Sequence, residues 1–238
     1  MGTLSGQKLA ITGASQGLGR SLALAAAQRG AALSLCARGE AALEDVAQRC
    51  RDSGVDVVAI SADMGEPRDI ERFAVHTLEH FRGIDVLVNN ASLLGPTPLP
   101  FLTDVPADSF DEVMRANLVG PLRLTQAFIG GMLLRGRGLV VNISSDAAVT
   151  GYPGWGLYAA SKAALDALTR SWSAELVGTG VRVLSVDPGD MDTAMHRAAD
   201  PDADAADLAQ PDDVAARIVR LFETAVPDSD RVLAATLR

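Results

Sequence analysis

The chain is poor in the residues that build metal centres and disulfide frameworks. Its 238 residues include two cysteines and three histidines. We expect Cys36 in a buried strand and Cys50 on a helix, a pair that predicts neither a disulfide framework nor a set of metal ligands. His76 and His80 share a helical face, but no cysteine or acidic residue completes a zinc-ligand spacing around them or around His196. The sequence therefore predicts no metal.

Long apolar runs and positive charge are also scarce. No segment approaches the roughly 18 consecutive apolar residues of a membrane span, and the first residues show no basic-then-apolar signal pattern. We therefore expect a cytoplasmic protein with no membrane partner. The formal net charge of −9 argues against nucleic-acid binding, which needs a basic surface. At this length, the 48% hydrophobic content is enough for one domain with its own core.

Strand-like apolar runs alternate with helical patterns along the whole chain. This alternation predicts an α/β fold, with a parallel sheet of about seven strands covered by helices on both faces. The expected strands are Lys8–Thr12, Ala32–Ala37, Val55–Ile60, Ile84–Asn89, Leu139–Ser144, Val181–Asp187 and Arg231–Ala235. The expected helices lie near residues 17–29, 40–53, 67–81, 107–134, 157–177 and 212–224. No linker or repeat interrupts the pattern, which indicates a single domain.

Tyr158 and Lys162 form a pair suited to proton transfer. Four residues apart on one expected helix, they share a face. A phenol has an unperturbed pKa of about 10, and a nearby ammonium favours the phenolate, so we expect Lys162 to lower the pKa of Tyr158. Ser145 follows an expected buried strand, at the strand end where open α/β sheets bind ligands. Without this context, an exposed lysine beside a packed tyrosine is the alternative.

A glycine-rich turn joins the first expected strand to the first expected helix. Residues 12–19 read TGASQGLG, with Gly13, Gly17 and Gly19 in the turn. Glycines here permit a tight turn and let a pyrophosphate approach the backbone N–H groups at the helix start. Because the turn follows a strand and opens a helix, it predicts a dinucleotide-binding site.

Taken together, these motifs resemble the short-chain dehydrogenase/reductase family. They occur in the family's order over nearly the whole chain: Thr12-Gly13-x-x-x-Gly17-x-Gly19, Asn89-Asn90-Ala91-Ser92, Asn117, Ser145, Tyr158-x-x-x-Lys162 and Pro188-Gly189. The resemblance implies a single-domain, Rossmann-like, doubly wound fold over residues 1–238. A cofactor half would span about 1–140, and a catalytic and substrate-loop portion about 141–238. It also implies a nicotinamide cofactor and a carbonyl or alcohol substrate.

The resemblance also implies roles for individual residues. Tyr158 would donate or accept the proton, and Lys162 would hold the nicotinamide ribose. Ser145 would orient the substrate, with Ser144 as its competitor, and Asn117 would hold a water of the proton relay unless it is only an exposed polar residue. The remaining expected cofactor-binding residues are Gly13, Ser15, Gln16, Gly17, Leu18, Gly19, Arg38, Asp63, Asn89, Ala91, Pro188, Gly189, Met191 and Thr193.

The end of the second expected strand indicates which nicotinamide cofactor is used. In dinucleotide folds an acidic residue at this position binds the adenosine ribose hydroxyls and selects NAD. Ala37 occupies it here, followed by Arg38, whose guanidinium matches a 2′-phosphate. Ser15 adds a hydroxyl, whereas Gln16 stands where some NADP-dependent members carry a basic residue, and Glu40 is a nearby acid. We expect NADP(H) to be favoured over NAD(H).

The substrate pocket is expected from loops near residues 92–102, 146–157 and 190–210. Their apolar side chains suggest an apolar pocket, with core packing as the alternative for several: Leu93, Leu94, Leu99, Phe101, Trp155 and Leu157. Tyr152 and Trp155 either border the substrate or pack the loop. The segment 196–210 is either a mobile lid or a solvated loop.

Charge and assembly are less fully specified. Asp190 and Asp192 lie beside Thr193, so the sequence does not define the net charge at the entrance of the substrate pocket. Residues 231–238 lack the glycine-rich ending that often supports tetramer contacts in the family, and we expect a homodimer or a homotetramer. Because all four catalytic positions are filled, a ketone reductase or alcohol dehydrogenase is favoured. The alternatives are a cofactor-binding sensor or interaction protein without turnover, and a lyase or isomerase that uses the cofactor transiently.

Overall fold

A seven-stranded parallel sheet organises the part of the chain that the computed structural model describes, residues 2–223 and 229–237. The strands are β1 (Lys8–Thr12), β2 (Ala32–Ala37), β3 (Val57–Ser61), β4 (Val86–Asn89), β5 (Gly138–Ile143), β6 (Val181–Asp187) and β7 (Arg231–Leu233). The α-helices are α1 (Gly17–Gln28), α2 (Glu40–Arg51), α3 (Pro67–Phe81), α4 (Ala107–Met114), α5 (Gly120–Arg135), α6 (Gly156–Glu175), α7 (Ala194–Ala199) and α8 (Pro211–Glu223). The expected α/β fold with a parallel sheet is confirmed.

Helices cover both faces of the sheet, so its strands are apolar on both sides. Leu9 of β1 packs in one apolar layer with Leu22 of α1 and Ile218 of α8. Ala10, its neighbour in β1, packs in the other layer with Phe73 of α3. This alternation places the core in two layers, as the doubly wound architecture requires.

The strand order, β3-β2-β1-β4-β5-β6-β7, reverses between β1 and β4. The chain runs outward through β2 and β3, returns to β4 beside β1, and then runs outward on the other side. Ligands of open α/β sheets bind outside the carboxyl ends of the strands at such a point. The residues that follow β1 and β4 therefore meet where a ligand is expected.

The expectation of one helix over residues 107–134 is wrong in its middle. α4 ends at Met114, residues Arg115–Val119 form a π-helical turn, and α5 begins at Gly120. The Gly120 N–H donates to the Arg115 carbonyl, five residues away. This wider turn carries Asn117 into the interior. Residue periodicity does not distinguish a single π turn from the α-helices that flank it.

Several strand ends also differ from expectation. β3 and β4 each begin two residues later than expected, at Val57 and Val86. These are the first residues of β3 and β4 that pair with the neighbouring strands β2 and β1. β5 is shifted one residue earlier and begins at Gly138. β7 ends at Leu233, because Ala234–Thr236 form a short 3-10 turn. These differences move strand ends without changing the topology.

The remaining expected helices are present, with ends that differ by at most two residues. Residue 224, expected at the end of the last helix, lies outside the described residues. α7 was not expected, because its residues lie in a segment whose composition resembles a loop. No helix in the described part of the chain combines the length and apolar character that a membrane crossing needs.

Candidate active site

The turn between β1 and α1 is built from glycines at which a side chain is unfavourable. Gly13 and Gly17 have φ angles of 68° and 52°, in the left-handed region that glycine favours. A Cβ on Gly19 would overlap the Gly13 carbonyl oxygen and lie 2.5 Å from Asn90 Nδ2. Asn90 Nδ2 in turn donates to the Thr12 carbonyl at 2.9 Å. The turn is therefore fixed against the residues that follow β4.

A groove of about 470 Å³ extends from this turn to α6. Most of the expected cofactor-binding residues line it: Gly13, Ser15, Gln16, Gly17, Leu18, Arg38, Asp63, Ala91, Tyr158, Lys162, Pro188, Met191 and Thr193. Three expected residues are not among those that line it. Gly19 closes the turn, Asn89 lies buried in the sheet, and Gly189 lines the neighbouring cavity.

Asn89 supports the groove from inside the sheet. Its Nδ2 donates to Asn142 Oδ1 at 2.8 Å, and Asn142 Nδ2 donates to Thr169 Oγ1 at 2.9 Å. The next residue, Asn90, lines the groove instead, and its backbone N–H donates to Thr12 Oγ1 at 3.0 Å. Sequence reasoning missed Asn90, for which the only signal was its place in the Asn-Asn-Ala-Ser motif.

Arg38 and Asp63 lie beyond the carboxyl ends of β2 and β3. The Arg38 side chain is 61% exposed, and its Nη1 is 4.0 Å from Asp63 Oδ2. Asp63 Oδ1 also accepts a hydrogen bond from the Gly65 N–H at 2.8 Å. Exposed pairs of this kind contribute little to stability, so the guanidinium can turn toward an anion in the groove.

Tyr158 and Lys162 lie side by side on the inner face of α6. Tyr158 is 8% exposed and Lys162 is 2% exposed. Lys162 Nζ is 5.4 Å from the centroid of the Tyr158 ring and donates to the Ile143 carbonyl at 2.7 Å. The structure therefore brings the two expected residues together at the end of β5.

Burial, rather than Lys162, dominates the pKa of Tyr158 in this structure, and the lowering expected from Lys162 stays a prediction. Burial raises the pKa of Tyr158 by disfavouring the phenolate, and the nearby Ser92 and Ser145 hydroxyls only partly oppose it. Burial also lowers the pKa of Lys162 to about 8, although the Asp166 carboxylate favours the ammonium. One buried environment thus works against both charges, and Tyr158 keeps its proton at neutral pH.

The two serines after β5 have different partners. Ser145 Oγ accepts from the Ala147 N–H at 3.1 Å and donates to Asp146 Oδ1 at 2.9 Å. Ser144 is buried, and its hydroxyl has no hydrogen-bond partner among the described residues. Ser145 lines a second cavity that adjoins the groove, whereas Ser144 lines both that cavity and the groove. Both serines are therefore in position to contact a ligand.

Asn117 uses its side chain inside the protein. Its Oδ1 accepts from the Leu93 N–H at 2.7 Å, and its Nδ2 donates to the Leu93 carbonyl at 2.8 Å and to Ser161 Oγ at 2.9 Å. It is buried, so the alternative of an exposed polar residue is wrong. Asn117 joins the π turn to α6 and to the loop after β4, and its expected contact with a water remains a prediction.

A second cavity of about 280 Å³ adjoins the groove at Tyr158. Leu94, Tyr152 and Trp155 line it, and the Trp155 ring lies edge-on to Tyr158 with centroids 5.7 Å apart. The other residues of the expected apolar set lie elsewhere: Leu93 in the groove, Leu157 in the interior, Leu99 packed beside Leu94, and Phe101 exposed. The apolar part of the cavity wall is therefore smaller than expected.

The segment 196–210 forms one border of this cavity. His196 and Asp200 line the cavity, and α7 includes the first residues of the segment. Near the other end, the Ala209 N–H donates to the Asp190 carbonyl at 3.0 Å. The segment is thus bonded to the loop after β6, and its movement as a lid remains a prediction.

Two charged residues that sequence reasoning missed lie next to Ser145. Burial alone would raise the pKa of Asp146, but hydrogen bonds from Tyr152 and Ser145 outweigh it and hold the pKa below its usual value. Tyr152 OH donates to Asp146 Oδ2 at 2.6 Å. Arg231 donates to the Ser145 carbonyl and to Asp187, each at 3.0 Å. Asp146 directly follows a candidate residue, but no local signal connects Arg231 to a site 86 residues away.

The groove has the chemistry that a nicotinamide dinucleotide requires. At one end, backbone N–H groups and the positive end of the α1 dipole favour a phosphate. Lys162 has three donors, of which Ile143 accepts one, so others can bind ribose hydroxyls. The unpartnered Ser144 hydroxyl and the exposed Arg38 guanidinium offer further contacts. The residues present therefore fit this cofactor.

The chain is similar to known proteins in both sequence and structure. Residues 7–204 match a family model described as short chain dehydrogenase. The chain is 38% identical to the 2-(R)-hydroxypropyl-CoM dehydrogenase of Xanthobacter autotrophicus over 189 aligned residues. The aligned residues cover 78% of this chain and 74% of the relative. An alcohol dehydrogenase from the archaeon Thermococcus sibiricus, complexed with 5-hydroxy-NADP, is 30% identical with a TM-score of 0.85 over 95% of both chains. A metagenomic short-chain oxidoreductase in complex with NADP is 33% identical with a TM-score of 0.82 over 97% of both chains.

Proposed function

This chain belongs to the short-chain dehydrogenase/reductase family, and we propose that it is an NADP(H)-dependent enzyme that interconverts a carbonyl compound and a secondary alcohol. The observation that carries the proposal is the position of Tyr158, which borders both the groove and the cavity. A side chain at that junction can face a nicotinamide on one side and a substrate oxygen on the other.

Tyr158 is the proposed proton donor. Because burial raises its pKa, the phenol is protonated at neutral pH, which is the state that reduction needs. When bound, the reduced nicotinamide supplies a hydride to the carbonyl carbon. Tyr158 delivers a proton to the carbonyl oxygen as negative charge develops there, and it accepts that proton in the direction of alcohol oxidation.

The neighbours of Tyr158 position the reactants and stabilise charge. Lys162, 5.4 Å from the Tyr158 ring, stabilises the phenolate left after proton transfer and holds the ribose in the groove. Ser145 donates its hydroxyl proton to the substrate oxygen. Asn117 acts through Ser161, which lies on α6 between Tyr158 and Lys162, and so fixes the start of that helix.

Arg38 supports a preference for NADP(H) over NAD(H). It follows β2, where Ala37 stands in place of the acid that would bind the ribose hydroxyls of NAD. A guanidinium binds a 2′-phosphate through charge-assisted hydrogen bonds. The two solved relatives complexed with NADP or its 5-hydroxy derivative support the same preference. Asp63, 4.0 Å from Arg38, is the acid that opposes it.

The test is a parallel fluorescence titration of NADPH and NADH, followed by absorbance measurements with a panel of ketones and aldehydes. We expect tighter binding of NADPH, and loss of NADPH absorbance with at least one carbonyl compound. Binding without turnover across the panel would contradict the enzyme proposal in favour of a sensor or interaction protein. Absence of binding by either cofactor would contradict the proposal at its first step.

The oligomeric state and the division of the chain into two functional portions remain predictions. A homodimer or homotetramer is expected, and sedimentation velocity of the purified chain measures which one forms. The division into a cofactor half and a catalytic portion near residue 140 is also a prediction. The groove already draws Lys162 and Thr193 from the second portion.

A further inference from the structure

The cavity beside Tyr158 carries negative charge and is lined by no lysine or arginine among the described residues. Its carboxylates belong to Asp146, Asp187, Asp190 and Asp200. The lining residue His196 faces one of these carboxylates, with its Nδ1 3.8 Å from Asp190 Oδ1. A substrate in this cavity therefore meets a surplus of negative charge.

The nearby guanidinium of Arg231 offsets only part of this charge. Its Nε lies 3.1 Å from Asp166 Oδ2, and its Nη2 lies 3.0 Å from Asp187 Oδ2. One positive charge is thus shared between two carboxylates. The charge of Asp146 comes in addition to that pair.

Asp146 stands between the proposed substrate-binding serine and an aromatic side chain. Its Oδ1 is 2.9 Å from Ser145 Oγ, and its Oδ2 is 2.6 Å from Tyr152 OH. Trp155 lines the same cavity. Aromatic faces attract cations through their quadrupole, and an adjacent carboxylate adds direct charge attraction.

The single hydroxyl proton of Ser145 links Asp146 to substrate binding. In this structure, Ser145 donates that proton to Asp146 Oδ1. To donate to a substrate oxygen, the hydroxyl has to turn away, because it carries only one donor. Asp146 Oδ1 then keeps the Ala147 N–H, at 2.8 Å, as a donor but loses the Ser145 hydroxyl, while it remains in a partly enclosed cavity. A positive charge on the substrate, close to its carbonyl group, would replace the lost donor.

A second observation points to a ligand where the cavity meets the groove. Ser144 is 1% exposed, and its hydroxyl has no partner among the described residues. Ser144 also lines the cavity. A buried hydroxyl is costly to leave without a partner, so a molecule in the cavity or in the adjoining groove would satisfy it.

We propose that the substrate is a small ketone or alcohol with a cationic nitrogen, either a protonated amine or a quaternary ammonium, which Asp146 binds. This inference rests on the proposed function, because it takes the reacting oxygen to lie at Ser145 and Tyr158. Because Asp146 Oδ1 lies 2.9 Å from Ser145 Oγ, the positive charge belongs close to the reacting carbonyl group. The cavity volume of about 280 Å³ restricts the substrate to a small molecule.

The direct test compares two ketones of the same shape with saturating NADPH. One is (2-oxopropyl)trimethylammonium and the other is 4,4-dimethylpentan-2-one, in which carbon replaces the charged nitrogen. We expect kcat/KM to be about 10- to 100-fold higher for the cation. A third ketone, the anionic 4-oxopentanoate, should be the poorest of the three. Equal values for the two isosteres, or a higher value for the neutral one, would overturn the inference.

A matched pair of variants tests the role of Asp146. Asp146→Asn removes the charge but keeps an acceptor oxygen for Ser145, and we expect the ratio of kcat/KM between the two isosteres to fall toward the value set by the intrinsic reactivity of the two carbonyl groups. Asp202→Asn makes the same charge change in the segment 196–210, at an exposed residue that does not line the cavity. Its ratio should match that of the unaltered chain. A full ratio retained in Asp146→Asn would contradict the assignment to Asp146.

Calorimetry with NADP⁺ separates this inference from the proposed function and needs no variant. The oxidised cofactor cannot reduce a ketone, so the dissociation constants of both isosteres can be measured without turnover. Tighter binding of the cation, with no reduction of any ketone by NADPH, would contradict the proposed function and support the charge preference. Reduction of ketones with equal binding of both isosteres would overturn the charge preference and leave the proposed function intact.

Discussion

The groove and the cavity meet at Tyr158 but are built in different ways. The groove is formed largely by strand ends, by the glycine turn and by α6, so elements of the fold position most of its lining residues. The cavity is formed by the loops after β5 and β6 and by α7, and its character comes from charged side chains. The comparison indicates that the fold itself positions the proposed cofactor groove, and we expect substrate choice to depend on a few loop side chains.

Tyr158→Phe should produce the largest effect, because Tyr158 belongs to both regions. Phenylalanine keeps the ring but has no proton to transfer, so we expect kcat to fall about 10²- to 10⁴-fold. The cofactor dissociation constant should change only a few-fold, because the rest of the groove is unaltered. Steady-state kinetics and NADPH titration measure the two quantities, and near-native turnover would contradict the role assigned to Tyr158.

Arg38→Asp should alter the groove alone. The variant removes the cation proposed for the 2′-phosphate and introduces an acceptor for ribose hydroxyls, so we expect the NADPH/NADH preference to shift about 10- to 100-fold toward NADH. Arg68→Asp, on the exposed side of α3, makes the same charge change away from the groove. An equal shift in both variants would point to general electrostatics rather than to a phosphate contact.

Gly19→Ala should damage the backbone on which the groove depends. The added Cβ would overlap the Gly13 carbonyl oxygen, and relieving the overlap should cost about 1–3 kcal/mol of unfolding free energy. Gly130→Ala is the matched control, because Gly130 lies on α5 with no atom near the added Cβ. There we expect a gain of about 0.5–1 kcal/mol. Denaturant unfolding measures both, and equal effects would contradict the packing argument.

Lys162→Met should change the pH dependence of stability. The Lys162 pKa is about 8 in the fold and 10.5 in the ordinary reference state. Between pH 8 and pH 10 the unfolded chain therefore holds a Lys162 proton that the folded chain lacks, so Lys162 contributes a rise in stability with pH, which the raised pKa values of Cys36, Cys50 and Tyr158 oppose. The slope should be at most about 1.4 kcal/mol per pH unit.

Lys162→Met should lack this rise, because methionine does not titrate. Denaturant unfolding of both proteins at several pH values between 7 and 10 measures the difference. Parallel curves for the two proteins would show that burial does not lower the pKa of Lys162 as stated.

Much of the groove could be predicted because its signals are local. Gly13, Gly17 and Gly19 lie within seven residues, and their conformational demands follow from the absence of a side chain. Tyr158 and Lys162 meet because helical geometry brings residues four apart onto one face. Such features depend on neighbours in the chain, so they can be inferred before the fold is known.

The cavity was harder to predict because its features depend on distant parts of the chain. Arg231 reaches the Ser145 carbonyl across 86 residues. The expected apolar wall proved to be partly carboxylate, since loop conformation decides which side chains face inward. Asn117 was expected in an ordinary helix, but a π turn carries it inside, where it bonds to Leu93 and Ser161.

The sequence by itself determined the alternation of strands and helices, the glycine turn and the residues that meet at Tyr158. Each of these follows from side-chain size, backbone freedom or periodicity over a few residues. Only the tertiary structure decided how these residues behave: that Tyr158 keeps its proton, that Lys162 has a lowered pKa, and that Asp146 is ionised beside Ser145. The physical reason is that burial and charge act through space, and the packing of distant segments sets both.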